Sequence, residues 1–242
     1  VLVRVIAIIV VLVIVNKWTN PANKLSWTFL ILLSPIFGLM VYFLFGRSGL
    51  TKHTRERMDA VNRQVEALFQ RDSAVEKGLE KESRSAYLQS SYIDKWAGFP
   101  LYQNTQTKYY SCGEEMFPDM LEALRGAKHF IFLEYFIIEE GYMFNTILDI
   151  LEEKAKAGVD VRFIYDDVGS INSISFGYYK KLQERGIPCV TFNPFKPLIS
   201  VVMNNRDHRK IFVVDGYIGF TGGINLADEY INKVKRFGYW KD

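Results

Sequence analysis

The chain has 242 residues, 49% of them hydrophobic and 24% charged, with a formal net charge of +3. That length supports one sizeable α/β domain with appendages. Arg4, Lys17 and Lys24 stand in the first 46 residues without an acid and account for the whole net charge, so the remainder is neutral and no nucleic-acid partner is expected.

Val1 to Val15 is almost wholly aliphatic, interrupted by Arg4, and a short polar turn through Pro21 follows. Leu25 to Phe45 is a second uncharged apolar run, close to the ~20 residues a membrane helix needs. No small-x-small cleavage site separates the two runs, so the expectation is a hairpin of two transmembrane helices, about 1–15 and 25–45, and not a cleaved leader. Arg47, Lys52, Arg55 and Arg57 cluster after the second run. The positive-inside rule then puts the domain beyond Phe45 on the cytoplasmic side of the membrane, and the same cluster suits anionic membrane lipids. Met58, Val61, Val65, Leu68 and Phe69 recur at helical spacing between Arg55 and about Lys81. They predict an amphipathic connector within 47–100, packed on protein in preference to lipid.

From Leu101 the texture alternates. Thr107 to Ser111 reads as a strand, and Glu114 to Arg125 as a helix with Pro118 near its start. His129 to Ile138 suits a buried strand. Met143 to Ala157 is an amphipathic helix closed by Gly158, and Val159 to Tyr165 a second buried strand ending in Asp166 and Asp167. Those two carboxylates read as capping and hydrogen-bonding groups. Ser173 to Arg185 predicts a helix closed by Gly186, Ile187 to Phe192 a strand, and 193–206, with Pro194 and Pro197, a loop near the site. Ile211 to Val214 and Tyr217 to Thr221 form a hairpin across Asp215-Gly216. The fold class is therefore α/β, a parallel or mixed sheet covered by helices over 101–242.

The chemistry concentrates in one tract: His208, Lys210, Asp215, then Gly222, Gly223 and Asn225. Residues two apart on a strand share a face, so imidazole and ammonium point together. Neutral imidazole can attack phosphorus and leave as a phosphohistidine, while Lys210 and the Asn225 amide offset charge on the phosphoryl oxygens. Gly222 and Gly223 let backbone approach a phosphate. Asp215, at an odd separation, faces away from His208 and reads as fixing the turn and scaffold. His53 and His129 read as structural. Glu134, inside an apolar strand, is a candidate pocket residue, with a structural carboxylate as the equal alternative. Cys112 and Cys189 are isolated, without partners at ligand spacing, so a reduced setting and no metal or cofactor are expected.

The tract His208 to Asp215 with Thr221-Gly-Gly-Ile-Asn225 resembles the HKD motif of the phospholipase D superfamily. The two apolar runs ending in Tyr42-Phe-Leu-Phe-Gly-Arg47, with Glu134-Tyr135, Tyr165-Asp-Asp-Val-Gly169 and Asp228-Glu-Tyr230, are similar to the bacterial cardiolipin synthases. The resemblance implies a first phospholipase D-like half-domain and phosphatidyl transfer between two phosphatidylglycerol molecules, without a metal. It also implies a second motif whose imidazole protonates the leaving alkoxide. Here the motif occurs once, and the chain begins on Val1 and ends at Asp242 within a pattern that the family continues. Both ends are read as truncated, and the chain by itself as inactive unless two copies pair as a homodimer. The same residues leave open another phospholipid transferase or a hydrolase, and, with less support, a membrane-anchored phosphodiesterase or nuclease, or an inactive scaffold.

Overall fold

The computed structural model describes residues 1–46, 52–195, 206–236 and 238–242, so Arg47 and most of the 193–206 loop lie outside the described residues. Contacts divide the chain into two units, one of 1–48 with 110–242 and one of 49–109.

The apolar N-terminus forms α1 (Leu2–Asn16), α2 (Pro21–Leu33) and α3 (Pro35–Phe45). The expected single helix over 25–45 is thus two. Pro35 has no N–H to continue the ladder and instead opens α3 at its first position, where that donor would be unpaired anyway. Gly38 lets α3 lie against α2, since a Cβ there would sit 2.5 Å from the Leu30 carbonyl oxygen. Ala7, Ile14, Ile31, Leu39 and Tyr42 make a small shared core, while most other aliphatic side chains face outward. Among the described residues no helix is long and apolar enough to cross a membrane. The 15 residues of α1 rise about 22 Å against a hydrocarbon core of ~30 Å.

The unit of 49–109 holds α4 (Lys52–Glu66), α5 (Ser73–Glu82) and α6 (Arg84–Ala97). The expected continuous connector is broken because Asp72 caps α5 through the Ala74 N–H. Arg71 closes the unit with an ion pair to Asp94 at 2.9 Å. Met58, Val61, Val65 and Leu68 stand exposed, so among the described residues no element of this unit covers their stripe.

The remaining elements are α7 (Gly113–Gly126), β1 (Phe130–Tyr135), α8 (Tyr142–Lys156), β2 (Asp160–Asp166), α9 (Tyr178–Glu184), β3 (Cys189–Phe192), β4 (Ile211–Val214), β5 (Ile218–Thr221) and a 3-10 turn (Asp228–Ile231). The strands form one mixed sheet in the order β3-β2-β1-β4-β5. β1 pairs in parallel with β2 and antiparallel with β4, with Glu134 opposite Ile211 and Ile131 opposite Val214. The strand expected over 107–111 is absent. Tyr109 is exposed and Tyr110 stacks on Phe220, so β propensity there finds no ladder partner. The helix expected from Ser173 begins only at Tyr178, because Ser170 and Ser173 hold a turn and Gly177 takes φ +74°.

Ile131, Leu133, Tyr135, Phe163, Tyr165 and Phe212 point into one core with α7, α8 and α9. Burying each such side chain stabilises by about 1.5–3 kcal/mol, well above the ~0–1 kcal/mol of a surface ion pair, so this face sets the fold. β1 was expected to be buried on both faces. Instead burial alternates, and Phe130, Phe132 and Glu134 line a half-open face. Aromatic residues on both sides of the strand hide that alternation in the sequence.

Asp228 caps α8 from 85 residues away, its carboxylate accepting from the Tyr142 and Met143 N–H groups. The β4–β5 turn has positive φ at Asp215 (53°) and Gly216 (76°), the geometry of a type I′ hairpin. The Asp215 carboxylate accepts from the backbone N–H groups of Lys128, His129 and Phe130, each at 2.8 Å. Burial opposes ionisation at Asp215, but these donors outweigh it and hold the carboxyl below the ordinary carboxylate range. The resulting stabilisation is present above about pH 4, the unfolded value, and is lost as pH falls through the lower folded one. Asn tolerates positive φ, so Asp215→Asn keeps the turn while removing the charge and turning one of the two accepting oxygens into an NH2 donor. We expect it to lower the thermal midpoint by several degrees at neutral pH, with the gap to wild type closing in acid; a gap independent of pH would contradict this.

Candidate active site

β4 runs antiparallel to β1, so the residues before it lie where β1 ends. His208 and Phe136 meet there, their ring centroids 4.7 Å apart, with the His208 residue exposed. Lys210 Nζ lies 5.4 Å from the same Phe136 ring and donates to the His208 carbonyl at 2.6 Å. The structure therefore brings His208 and Lys210 together at one aromatic side chain. Lys210 is only 5% exposed. Burial pulls its pKa below the ordinary lysine range, with Asp207 and Asp242 opposing the shift.

Phe136 was missed by the sequence reading, and its place in the run after Glu134-Tyr135 was the available signal. Its position is over-determined. Ser170 Oγ donates to the Phe136 carbonyl at 3.2 Å and accepts from the Ile138 N–H at 3.1 Å. Asn225 Oδ1 accepts from the Ile137 N–H at 3.0 Å, and Nδ2 donates to the Tyr230 hydroxyl at 2.8 Å. Asn225 is buried and braces β1 to the 3-10 turn, which leaves one amide hydrogen outside these bonds. Gly169 is required here: a Cβ would collide with the Phe136 carbonyl oxygen.

Gly222 and Gly223 follow β5. Asp242 lies against them, its carboxylate accepting from the Gly223 N–H at 2.6 Å, and a Cβ on Gly223 would collide with Asp242 Oδ1. The Asp242 carboxylate thus lies on the glycine backbone, close enough to Lys210 to oppose the fall in its pKa. Asp242 was not among the sequence candidates. Asp215, in contrast, sits beyond the far end of β4. Seven residues at about 3.3 Å each separate it from His208 by roughly 20 Å, and its carboxylate is taken up by three backbone N–H groups at the start of β1.

The segment carrying His208 is also held from the side. Asp166, fully buried, accepts from the Gly169 and Asp207 N–H groups at 2.8 and 3.0 Å and pairs with Arg206 at 3.3 Å. Asp167 accepts from the Phe195 N–H. Both carboxylates therefore serve hydrogen bonding, as their place at a strand end suggested. Glu134 lies 2.7 Å from Arg209 Nη2, beside Asp207, next to but not facing His208. Among the described residues no cluster of His, Cys, Asp and Glu could hold a metal. Cys112 and Cys189 are buried free thiols.

Residues 120–235 match the family model described as cardiolipin synthase, PLD-like domain, and residues 5–47 the one described as phospholipase D-nuclease N-terminal. An uncharacterized protein of Streptococcus mutans is 39% identical over 96% of this chain and 50% of that protein. Cardiolipin synthase of Alkalihalophilus pseudofirmus is 36% identical, over 92% of this chain and 44% of its own length. Cardiolipin synthase 2 of Bacillus anthracis is 33% identical over 92% of this chain and 43% of its own. The chain spans about half the length of these curated relatives. The His208 tract lies inside the matched segment, so residues 120–235 carry a phospholipase D-like domain similar to that of the cardiolipin synthases.

Proposed function

We propose that the protein transfers a phosphatidyl group from one phosphatidylglycerol to a hydroxyl of another, giving cardiolipin and glycerol. The observation that carries this reading is an exposed His208 beside a buried Lys210 at one aromatic wall. A ring nitrogen of neutral His208 attacks phosphorus, the bond from phosphorus to the glycerol oxygen breaks, and that oxygen takes a proton as glycerol leaves. The hydroxyl of the second phosphatidylglycerol then gives up its proton and attacks the phosphatidyl-imidazole, so that the P–N bond breaks and His208 is regenerated. By the family resemblance the proton carrier is a second imidazole, from a second motif or a paired copy. The Lys210 ammonium and the Gly223 N–H offset charge on the non-bridging oxygens. They do so in a partly desolvated setting, where such interactions are stronger than in water.

The enzyme then works at the cytoplasmic face of a bacterial membrane, held there by residues 1–46. Support comes from the outward aliphatic side chains of α1 to α3, the match over 5–47 and the basic residues beyond it. The substrate lipid is then presented in the same plane as the anchor.

In the natural full-length protein, His208→Ala should reduce cardiolipin formation from phosphatidylglycerol vesicles to the uncatalysed level. Lys210→Met should lower the rate by about 10²- to 10³-fold. Both variants should remain in the membrane fraction. A wild-type rate in His208→Ala would overturn the nucleophile assignment.

A further inference from the structure

His208 sits between two charged residues, Asp207 and Arg209, whose side chains bind each other. The Asp207 carboxylate accepts from the Arg209 backbone N–H at 3.2 Å, from Nε at 3.0 Å and from Nη2 at 3.2 Å. Arg209 Nη2 also lies 2.7 Å from Glu134 Oε1. Two carboxyl groups from different segments thus share one guanidinium. Glu134 projects from β1 on the half-open face, in a cavity of about 240 Å³ with Phe132, Arg162, Ile164 and Ile211. Its Oε1 is buried and has no aligned hydrogen bond, although the guanidinium is within ion-pair distance. Two carboxylates this close, partly desolvated and with one cation between them, repel each other. A single shared proton removes the repulsion and supplies a hydrogen bond.

We propose that Glu134 is a positioning residue whose protonated carboxyl bonds to Asp207 and, with Arg209, clamps the chain on both sides of His208. The clamp acts on the backbone. Asp207 is also tied to buried Asp166 through its own N–H, so the residue before His208 is fixed on two sides and the residue after it on one. The imidazole is left exposed and directed at Phe136. Burial raises the Glu134 carboxyl to about 7, the Asp207 contact adds to the rise, and Arg209 opposes it. Burial pushes Asp207 upward as well, but its hydrogen bonds from Arg209 and Glu134 win and bring it down to about 2. The charged groups facing Glu134 are Asp207 and Arg209 from the segment before β4, and Arg162 from β2. Arg162 is paired to Asp160 at 2.7 Å.

A carboxyl raised in the folded state contributes stability at low pH that is lost as pH rises through the folded value. The clamp is therefore closed below about pH 7 and opens above it, where two adjacent anions replace the shared proton. Gln at position 134 keeps a donor toward Asp207 and cannot ionise, so it mimics the closed form. This inference rests on His208 being the nucleophile of the proposed transfer, and its test separates the two.

Infrared titration of the full-length protein, which needs no turnover, should show a protonated carboxyl lost near pH 7 and missing from Glu134→Gln. The His208 ring resonance should follow the same titration in wild type and not in the variant. In turnover assays Glu134→Gln should flatten the alkaline fall in kcat at unchanged KM, and Glu134→Ala should lower kcat about 10- to 100-fold at all pH. The inference is overturned if wild type shows no such carboxyl, if the His208 resonance ignores it, or if Glu134→Gln follows the wild-type profile. Absence of turnover in wild type, with the carboxyl and resonance behaviour as expected, would overturn the proposed transfer and uphold the clamp.

Discussion

The antiparallel register of β4 against β1, pinned by the Asp215 carboxylate, is the constraint on which the site depends. Asp215 takes three backbone N–H groups at the start of β1 and stands at the end of β4. Slipping the pair by one residue would break all three bonds and send Phe212 and Val214 to the half-open face. It would also reverse Lys210, which needs the desolvated side of the strand to meet the Phe136 ring. A carboxylate roughly 20 Å from the imidazole therefore decides where the imidazole is.

At the other end of β4 the same logic is repeated with buried polar groups. Asp166, Ser170 and Asn225 are almost fully buried, and each makes at least one hydrogen bond to backbone that leads to or from the site. A neutral hydrogen bond contributes about 0.5–1.5 kcal/mol, less than one core side chain, so these residues add little to overall stability. Their effect is local. They fix the path of residues 136–138 and 206–208, and with it the orientation of an exposed nucleophile that makes few bonds of its own. The cost of desolvating Lys210 belongs to the same design, because an ammonium held away from water interacts more strongly with developing negative charge.

Much of this was legible in the sequence. β4 and the Asp215-Gly216 turn were read to the residue, because alternation and an Asp-Gly pair carry local information. Helices α7 and α8 were placed within two residues for the same reason. His208 and Lys210 do meet at the Phe136 ring, but both precede β4, so the strand period is not what brings them together. The misses are of another kind. Pro35 splits an apolar run whose hydropathy is uniform, and residues 107–111 have strand propensity but no neighbour to pair with. Phe136, Asp207, Arg209 and Asp242 reach the site only through contacts between distant segments, which no local pattern encodes. Asn225 was recognised as belonging to the site, but its bracing bonds to Ile137 and Tyr230 appear only once the chain is folded.

The decisive event is where the phosphatidyl group goes first. Full-length protein mixed with phosphatidylglycerol, quenched in alkali to preserve a phosphoramidate and analysed by peptide mass spectrometry, reads this directly. A phosphatidyl adduct on His208 that decays when a second phosphatidylglycerol is supplied is the predicted result. Sustained cardiolipin formation with no adduct on His208, or with the adduct on another side chain, would contradict it.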